Sequence, residues 1–417
     1  MREPLTNASG EALSALKRAM EEQRYGPFVI EQYVREARRF LEYLDRQGLA
    51  LQTASEREVA GHVGEQLARY RGQHGRDPAS LTHWRCRHTG AVRMLLRLTH
   101  GGGREGTLRS DGGIDPIIQR YSTWLRDVRG AAPLTIAVAL RTAAEFLAWT
   151  RARFAVEQGP WPLAPGDVDA FLQWRTSHVA RATRKWVAYH LRSFLRHLYR
   201  EGLMGRDLAP AVSGGRVYQG ERAPVPLTEE EITRVVSQAK RERAHQPAGR
   251  RDYATLSLLA TYGMRASEIV HLRLEDIDWR HERIRIRHAK RGAVSDVPLL
   301  PAVGEAVLDY LRHGRPTTSR REVFVRSRAP YETPLRADAL YQAVARWLAR
   351  AGVHACGPHG PHAFRHGRAI GLLRAGVSLK TIGDILGHRR ASSTQVYLQL
   401  HTSDLREVAL SLPGIHG

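Results

Sequence analysis

Residues 360–400 read GPHAFRHGRAIGLLRAGVSLKTIGDILGHRRASSTQVYLQL, and the parsing of this stretch decides the fold. Residues 364–375 look helical, and residues 379–386 read as a shorter helix that stops at Gly387. His362 and Arg365 stand three apart, so on a helix they share one face and can reach one anion together. His388 follows the glycine. Tyr397 comes nine residues later, in Thr394-Gln395-Val396-Tyr397-Leu398-Gln399.

Two basic elements upstream complete a set. Residues 251–260 are largely apolar and read as a buried helix, after which Thr261-Tyr262-Gly263-Met264-Arg265-Ala266-Ser267-Glu268 closes that helix and opens another. Glu268 is expected to support the fold or orient Arg265. Residues 277–288 and 294–300 alternate or carry β-branched side chains, and residues 290–295 between them are turn-like, so a hairpin is expected with Lys290 at its tip. Residues 302–311 and 336–351 look helical, and Thr228-Glu229-Glu230-Glu231 is a capping box that marks where this domain begins. The C-terminal domain is therefore expected to be mainly α with a small antiparallel β-sheet.

In order, these residues are Arg265, Lys290, the His362/Arg365 pair, His388 and Tyr397. Together they resemble the tyrosine recombinase (phage integrase) family, whose pattern is an arginine, a hairpin lysine, a His-x-x-Arg pair, a second histidine and a nucleophilic tyrosine. The motifs cover roughly the last 190 residues, and the resemblance extends more weakly to the segment before them. It implies a catalytic domain over residues 227–417, a helical core-binding (SAM-like) domain over 114–208 and a linker at 209–226. It also implies a site-specific DNA recombinase or integrase working through a 3′-phosphotyrosyl intermediate, without a cofactor. Its partners would be double-stranded DNA sites and, in the synaptic complex, three more copies of itself as a homotetramer. Accessory proteins and the docking of the tail after Tyr397 stay open.

The chemistry asks for these residue types. Exchanging a phosphodiester through a covalent intermediate needs a nucleophile, positive charge on the non-bridging oxygens and a proton for the departing sugar oxygen. Tyr397 supplies the first and keeps the energy of the cut bond in a phosphotyrosyl ester, so resealing needs neither ATP nor a metal. Arg265 and Arg365 present planar forks to phosphate oxygens. His362 and His388 donate further hydrogen bonds, and His362 can also accept the tyrosine proton. The role of Lys290, protonating the leaving 5′ oxygen, comes from the resemblance. Each residue alone has a plainer explanation: a helix cap for Arg265, an exposed turn for Lys290, a helix end for His388, a half-buried aromatic for Tyr397. The ordered set outweighs them. His354, Cys356, His359, His362 and His366 invite a metal reading, but their spacing matches no usual zinc pattern.

The whole chain agrees with a polyanionic partner. Lys plus Arg outnumber Asp plus Glu by 64 to 42, a formal charge of +22, and 417 residues predict two or three domains. Cys86 and Cys356 form no Cys-x-x-Cys unit, which argues against a disulfide framework. No run has the length of a membrane span, and the first residues lack the apolar core of a signal peptide, so a cytoplasmic protein is expected.

Residues 1–103 read as a helical N-terminal module, followed by glycine-rich sequence through Gly113. The next block echoes it. Arg35-Glu36-Ala37-Arg38-Arg39-Phe40-Leu41 aligns with Arg141-Thr142-Ala143-Ala144-Glu145-Phe146-Leu147, with Tyr43 opposite Trp149. Trp84, His88, Val92 and Leu96 match Trp186, His190, Phe194 and Leu198 at constant offset. Convergent amphipathic helices explain this as well as duplication does. In the second block Thr183-Arg184-Lys185-Trp186 is expected to precede a helix with Tyr189, Leu191, Phe194, Leu195 and Leu198 on one face and Arg192, His197 and Arg200 interleaved. Arg184, Lys185, Arg192 and, in the hairpin, Arg291 are the expected DNA contacts. The first block is open as a second core-binding-like domain, an arm-site binder or a protein-contact module.

Three other functions compete. A type IB topoisomerase would use a similar set without strand exchange, but the His-x-x-Arg pair and the preceding module favour a recombinase. A catalytically silent DNA-binding protein would normally lack one of the six residues. A metal-dependent nuclease needs clustered carboxylates, and residues 360–397 hold only Asp384. The extra N-terminal module points toward a mobile element, by integration or transposition, more than toward chromosome-dimer resolution.

Overall fold

The computed structural model describes residues 7–100, 115–154, 161–214, 226–245, 248–288, 293–354 and 360–387. The chain divides into two compact units: residues 33–221 with the first 16, and residues 222–417 with 17–32. Among the described residues no helix is long and apolar enough to cross a membrane.

The N-terminal half is helical: α1 (Asn7–Glu22), α2 (Pro27–Arg46), α3 (Glu56–His74), α4 (Leu81–Thr99), α5 (Pro116–Thr123), α6 (Pro133–Phe154), α7 (Pro165–Thr176) and α8 (Arg181–Arg200). Local chemistry sets several of these ends. Ser55 caps α3 while Glu58 reaches back to the Ser55 amide at 2.8 Å, and Gly75 ends the helix in the left-handed region at φ 65°. α8 buries Val187, Leu191, Phe194, Leu195 and Leu198 in one cluster with Phe146 and Phe171. Two expectations are corrected here. Thr183 to Trp186 lie inside α8, because nothing from Arg181 onward breaks a helix and Arg, Lys and Ala favour one. His197 is not on the basic face; it is 2 % exposed and packs against Tyr121 and Trp124.

The second unit holds α9 (Glu229–Glu242), α10 (Gly249–Tyr262), α11 (Ala266–Val270), β1 (Ile277–Asp278), β2 (Arg283–His288), β3 (Ala293–Pro298), α12 (Pro301–His313), α13 (Ala337–Arg350), α14 (Pro361–Arg374) and α15 (Leu379–Ile385). As expected, Thr228 and Glu231 form a reciprocal capping box, at 3.2 and 2.9 Å. α10 is its centre, packed against α9, α12, α13 and α14 and buried through Arg251 to Leu259. Its buried Asp252 is neutralised by Arg251 Nη2 at 2.8 Å and Arg346 Nη2 at 2.7 Å, with Trp347 Nε1 donating at 3.1 Å. Without those donors a buried carboxylate there would be strongly destabilising.

The sheet is antiparallel in the order β1-β2-β3. Residues 277–288 are not one strand, as expected, but β1, a turn and β2. Asp278 accepts the amides of Arg280 and His281 at 3.1 and 3.0 Å, and Glu282 has φ 51°, which folds the chain back. Along β2, Ile284, Ile286 and His288 point inward while Arg283, Arg285 and Arg287 face solvent. β2 and β3 pair from Arg283 with Pro298 to His288 with Ala293, and Lys290 and Arg291, expected at the hairpin tip, lie outside the described residues.

Candidate active site

Four elements bring the site together. α10 ends at Tyr262, whose hydroxyl donates to the Pro298 carbonyl at 2.7 Å and accepts from the Leu300 amide at 3.1 Å, tying this helix end to the end of β3. Gly263 then takes φ 62°, and a Cβ there would lie 2.9 Å from Leu386. Glycine fits both the backbone and the packing, and the chain turns into Arg265, which caps α11. On the other side, Ala369 and Ile370 of α14 pack with Ile382 and Leu386, fixing α15 and the turn that follows.

Arg365 is 4 % exposed and spans these pieces. Its Nη1 donates to the Gly263 carbonyl at 2.7 Å, and its Nη2 donates to the Leu386 carbonyl. Arg265 approaches from the other direction and donates Nη2 to the next carbonyl, Gly387 O, at 3.0 Å. The two guanidinium groups therefore end on consecutive carbonyls of the turn that leads to His388. Arg265 keeps 26 % of its side chain open, so it offers donors at the surface while Arg365 sits behind.

Glu268 holds Arg265 in place. One carboxylate oxygen accepts from the Arg265 amide at 2.7 Å; the other accepts from Arg265 Nη1 at 2.7 Å and pairs with His288 Nδ1 at 2.8 Å. Burial pushes its carboxyl up, but the hydrogen bonds from the Arg265 amide, His288 and the Arg265 side chain outweigh this and hold it below the ordinary value of 4.5. His288, also buried, spends its other ring nitrogen on Ser295 Oγ at 2.9 Å, across the hairpin. Sequence reasoning gave His288 no role. The signal was present in Arg283-Ile284-Arg285-Ile286-Arg287-His288, whose alternation puts the histidine on the buried phase, where a polar ring needs partners.

Of the other expected site residues, His362 lies on α14 with Arg365 but is exposed, its ring 6.1 Å from Tyr341 and 6.4 Å from His366. His366 is pushed down to about 4 by burial and by the neighbouring His362 and Arg365, so it is neutral at pH 7. Lys290, His388 and Tyr397 lie outside the described residues. Among the expected DNA contacts, Arg184 and Lys185 are exposed on α8, Arg192 is half-buried with Nη2 on the Val212 carbonyl at 2.8 Å, and Arg291 lies outside the described residues.

This fold and this paired-arginine frame define a class, and comparison with known proteins agrees. The phage integrase family model matches residues 226–404. Putative integrase/recombinase y4gC of Sinorhizobium fredii is 54% identical over 191 residues, 46% of this chain and 97% of the relative. Tyrosine recombinase XerC of Rhodospirillum centenum is 31% identical over 299 residues, 70% of this chain and 84% of the relative. Among solved structures, XerH site-specific recombinase bound to palindromic difH substrate aligns with a TM-score of 0.55 over 70% of this chain and 83% of its own, at 18% identity, a likeness of fold. The chain belongs to the phage integrase family of tyrosine recombinases. It is a tyrosine-type site-specific DNA recombinase.

Proposed function

We propose that Tyr397 is the nucleophile, attacking a scissile phosphate to leave a 3′-phosphotyrosyl link and a free 5′ hydroxyl. Arg265 and Arg365 stabilise the charge gathering on the non-bridging oxygens, and Lys290 protonates the leaving oxygen. His362 and His388 donate to the same pentavalent state, and His362 takes the tyrosine proton. Rejoining reverses the attack with a new 5′ hydroxyl, through a Holliday junction when strands from a pair of sites are exchanged.

One observation carries this reading: Arg265 and Arg365, far apart in sequence, reach adjacent carbonyls at Gly387 and Leu386, immediately before His388. A helix cap and a mid-helix arginine with no shared role have no reason to meet at the turn that leads into the second histidine. The partner is double-stranded DNA. A homotetramer forms on paired sites, with Arg184, Lys185, Arg192 and Arg291 contributing contacts from a core-binding domain at 114–208 and from the hairpin of a catalytic domain at 227–417. The biological setting is a mobile element, as the names of integrase/recombinase relatives and the additional helical module at 1–103 suggest.

The test incubates wild type and Tyr397→Phe with DNA flanking the gene and looks for both a protein-linked strand and a product joining two sites. Wild type should give both and the variant neither. An adduct with relaxation of supercoils and no joined product would favour topoisomerase chemistry. Because the tyrosine ester stores the bond energy, a chelator should leave cleavage unchanged.

A further inference from the structure

The ring geometry inside residues 33–99 recurs inside residues 133–200. On α2, Phe40 and Tyr43 stack with centroids 6.3 Å apart at 19°; on α6, Phe146 and Trp149 stack at 6.4 Å and 21°. His62 of α3 stands edge-on to its pair at 5.4 Å and 76° and at 5.5 Å and 62°. Phe171 of α7 stands edge-on to its own at 5.0 Å and 88° and at 5.8 Å and 69°. Within these trios the largest mismatches are 0.4 Å (5.4 against 5.0 Å) and 12° (76° against 88°). Val59 and Val63 are buried around His62 as Val168 and Leu172 are around Phe171. The last helix of each half also carries a tryptophan beside a histidine one turn on, though in different geometry: Trp84 with His88 at 4.1 Å and 40°, Trp186 with His190 at 6.0 Å and 23°. Convergent amphipathic helices would bury apolar residues, but they have no reason to reproduce an aromatic trio in one register.

The fourth helices share their charge as well. Neither α4 nor α8 contains an acidic residue. On α2 and α3, Arg46 and Arg69 pair with Glu65 and Arg71 pairs with Asp77, while the exposed Arg38 and Arg57 side chains have no ion pair or hydrogen bond among the described residues. On α4, Arg93 pairs with Glu56, but the Arg85 and Arg87 side chains are exposed with no ion pair or hydrogen bond among the described residues, as are those of Arg184 and Lys185 on α8. Arg87 stands where α8 has exposed Tyr189, directly before the stacked histidine. The copies differ in cover. Val187, Ala188 and Leu195 are buried in a cluster with Met204, Leu208, Ala209 and Val212, whereas their counterparts Arg85, Cys86 and Arg93 are exposed. α4 therefore has a wider exposed face than α8, with arginine at positions that α8 covers.

We infer that residues 33–99 are a second copy of the module at 133–200 and bind duplex DNA backbone through Arg85 and Arg87 of α4. This rests on α8 being a DNA-facing helix, so the test treats the two helices side by side. The full chain is titrated against a labelled mixed-sequence duplex of about 40 base pairs in rising NaCl, where each phosphate contact contributes about 0.9 to the slope of log K against log salt. Arg85→Ala with Arg87→Ala should lower that slope by about 2, as should Arg184→Ala with Lys185→Ala. A drop for the α8 pair alone overturns the inference and leaves the first module a duplicated scaffold without a DNA face. No drop for either pair overturns the reading of α8 on which it rests. Exposed Cys86 provides a second readout. With Cys356→Ser, an iron chelate attached at Cys86 should cut the bound duplex; cutting no greater than with Cys86→Ser would contradict the inference.

Discussion

Arg265 and Gly387, 122 positions apart, are joined by a hydrogen bond of 3.0 Å from Nη2 to the carbonyl. Because Arg365 holds the preceding carbonyl, the turn before His388 and the two arginines form one frame. Gly387 has φ 59°, and a Cβ there would meet the His288 ring at 2.6 Å. Gly387→Ala should strain the backbone, displace His288 and loosen Arg265, costing about 1–3 kcal/mol of stability. Strand cleavage should fall at least tenfold, read by single-turnover assay alongside urea denaturation. Unchanged cleavage would show that the frame does not govern the chemistry.

His288 can be dissected by side-chain length. Asparagine places an amide near the position of Nδ1 and can keep the Glu268 bond, while glutamine reaches the position of Nε2 and can keep the Ser295 bond. If His288 acts by fixing Glu268 and through it Arg265, cleavage should rank His288→Asn above His288→Gln, with His288→Ala lowest. The reverse order for the two amides would mean that the link across the hairpin matters more.

Arg365 is a structural residue as well as a proposed catalytic one. The sequence alone suggests that Arg365→Ala would abolish cleavage with folding retained. Its two buried carbonyl contacts predict a stability loss too, of about 1–3 kcal/mol for each group left unpaired. Arg365→Lys should not rescue cleavage, since one ammonium cannot span both carbonyls and still present a fork to phosphate; a fall of about 100-fold or more is expected. Near-normal cleavage by the lysine variant would refute the forked role.

Much of this was legible because the determinants are local. The Thr228 box, the Gly263 turn and the stop at Gly387 each depend on a few adjacent residues with fixed conformational needs. The His-x-x-Arg spacing placed His362 and Arg365 on one helix for the same reason. What sequence did not disclose was tertiary. That Arg365 would turn inward onto carbonyls, that Arg192 would be occupied by Val212 and that His197 would be buried all depend on which neighbours arrive from elsewhere in the chain. The β1 turn was missed because a two-residue strand is too short for periodicity to register.

His62 is 0 % exposed, and neither ring nitrogen has a hydrogen-bond partner among the described residues. Burial pushes it down to about 4, from an ordinary 6.5. The unfolded chain therefore binds the proton first, and the stability His62 allows is fully present above about pH 6.5 and lost as pH falls toward 4. Phenylalanine stands at the equivalent place, Phe171. His62→Phe should raise stability at pH 7 by about 1–3 kcal/mol, by removing an unsatisfied polar ring. It should also flatten the acid-side loss in denaturation midpoints followed from pH 7 down to about 4. A variant less stable than wild type and equally acid-sensitive would contradict this.

The central claim is that one tyrosine, outside the paired-arginine frame, becomes covalently joined to DNA. The adduct formed by wild type on its own flanking DNA should be digested with protease and nuclease and the modified peptide sequenced by mass spectrometry. The account predicts a nucleotide attached through a 3′ phosphate to Tyr397, and no such peptide when Arg265 or Arg365 is replaced by alanine in folded protein. Attachment to another residue, or through a 5′ phosphate, would contradict it.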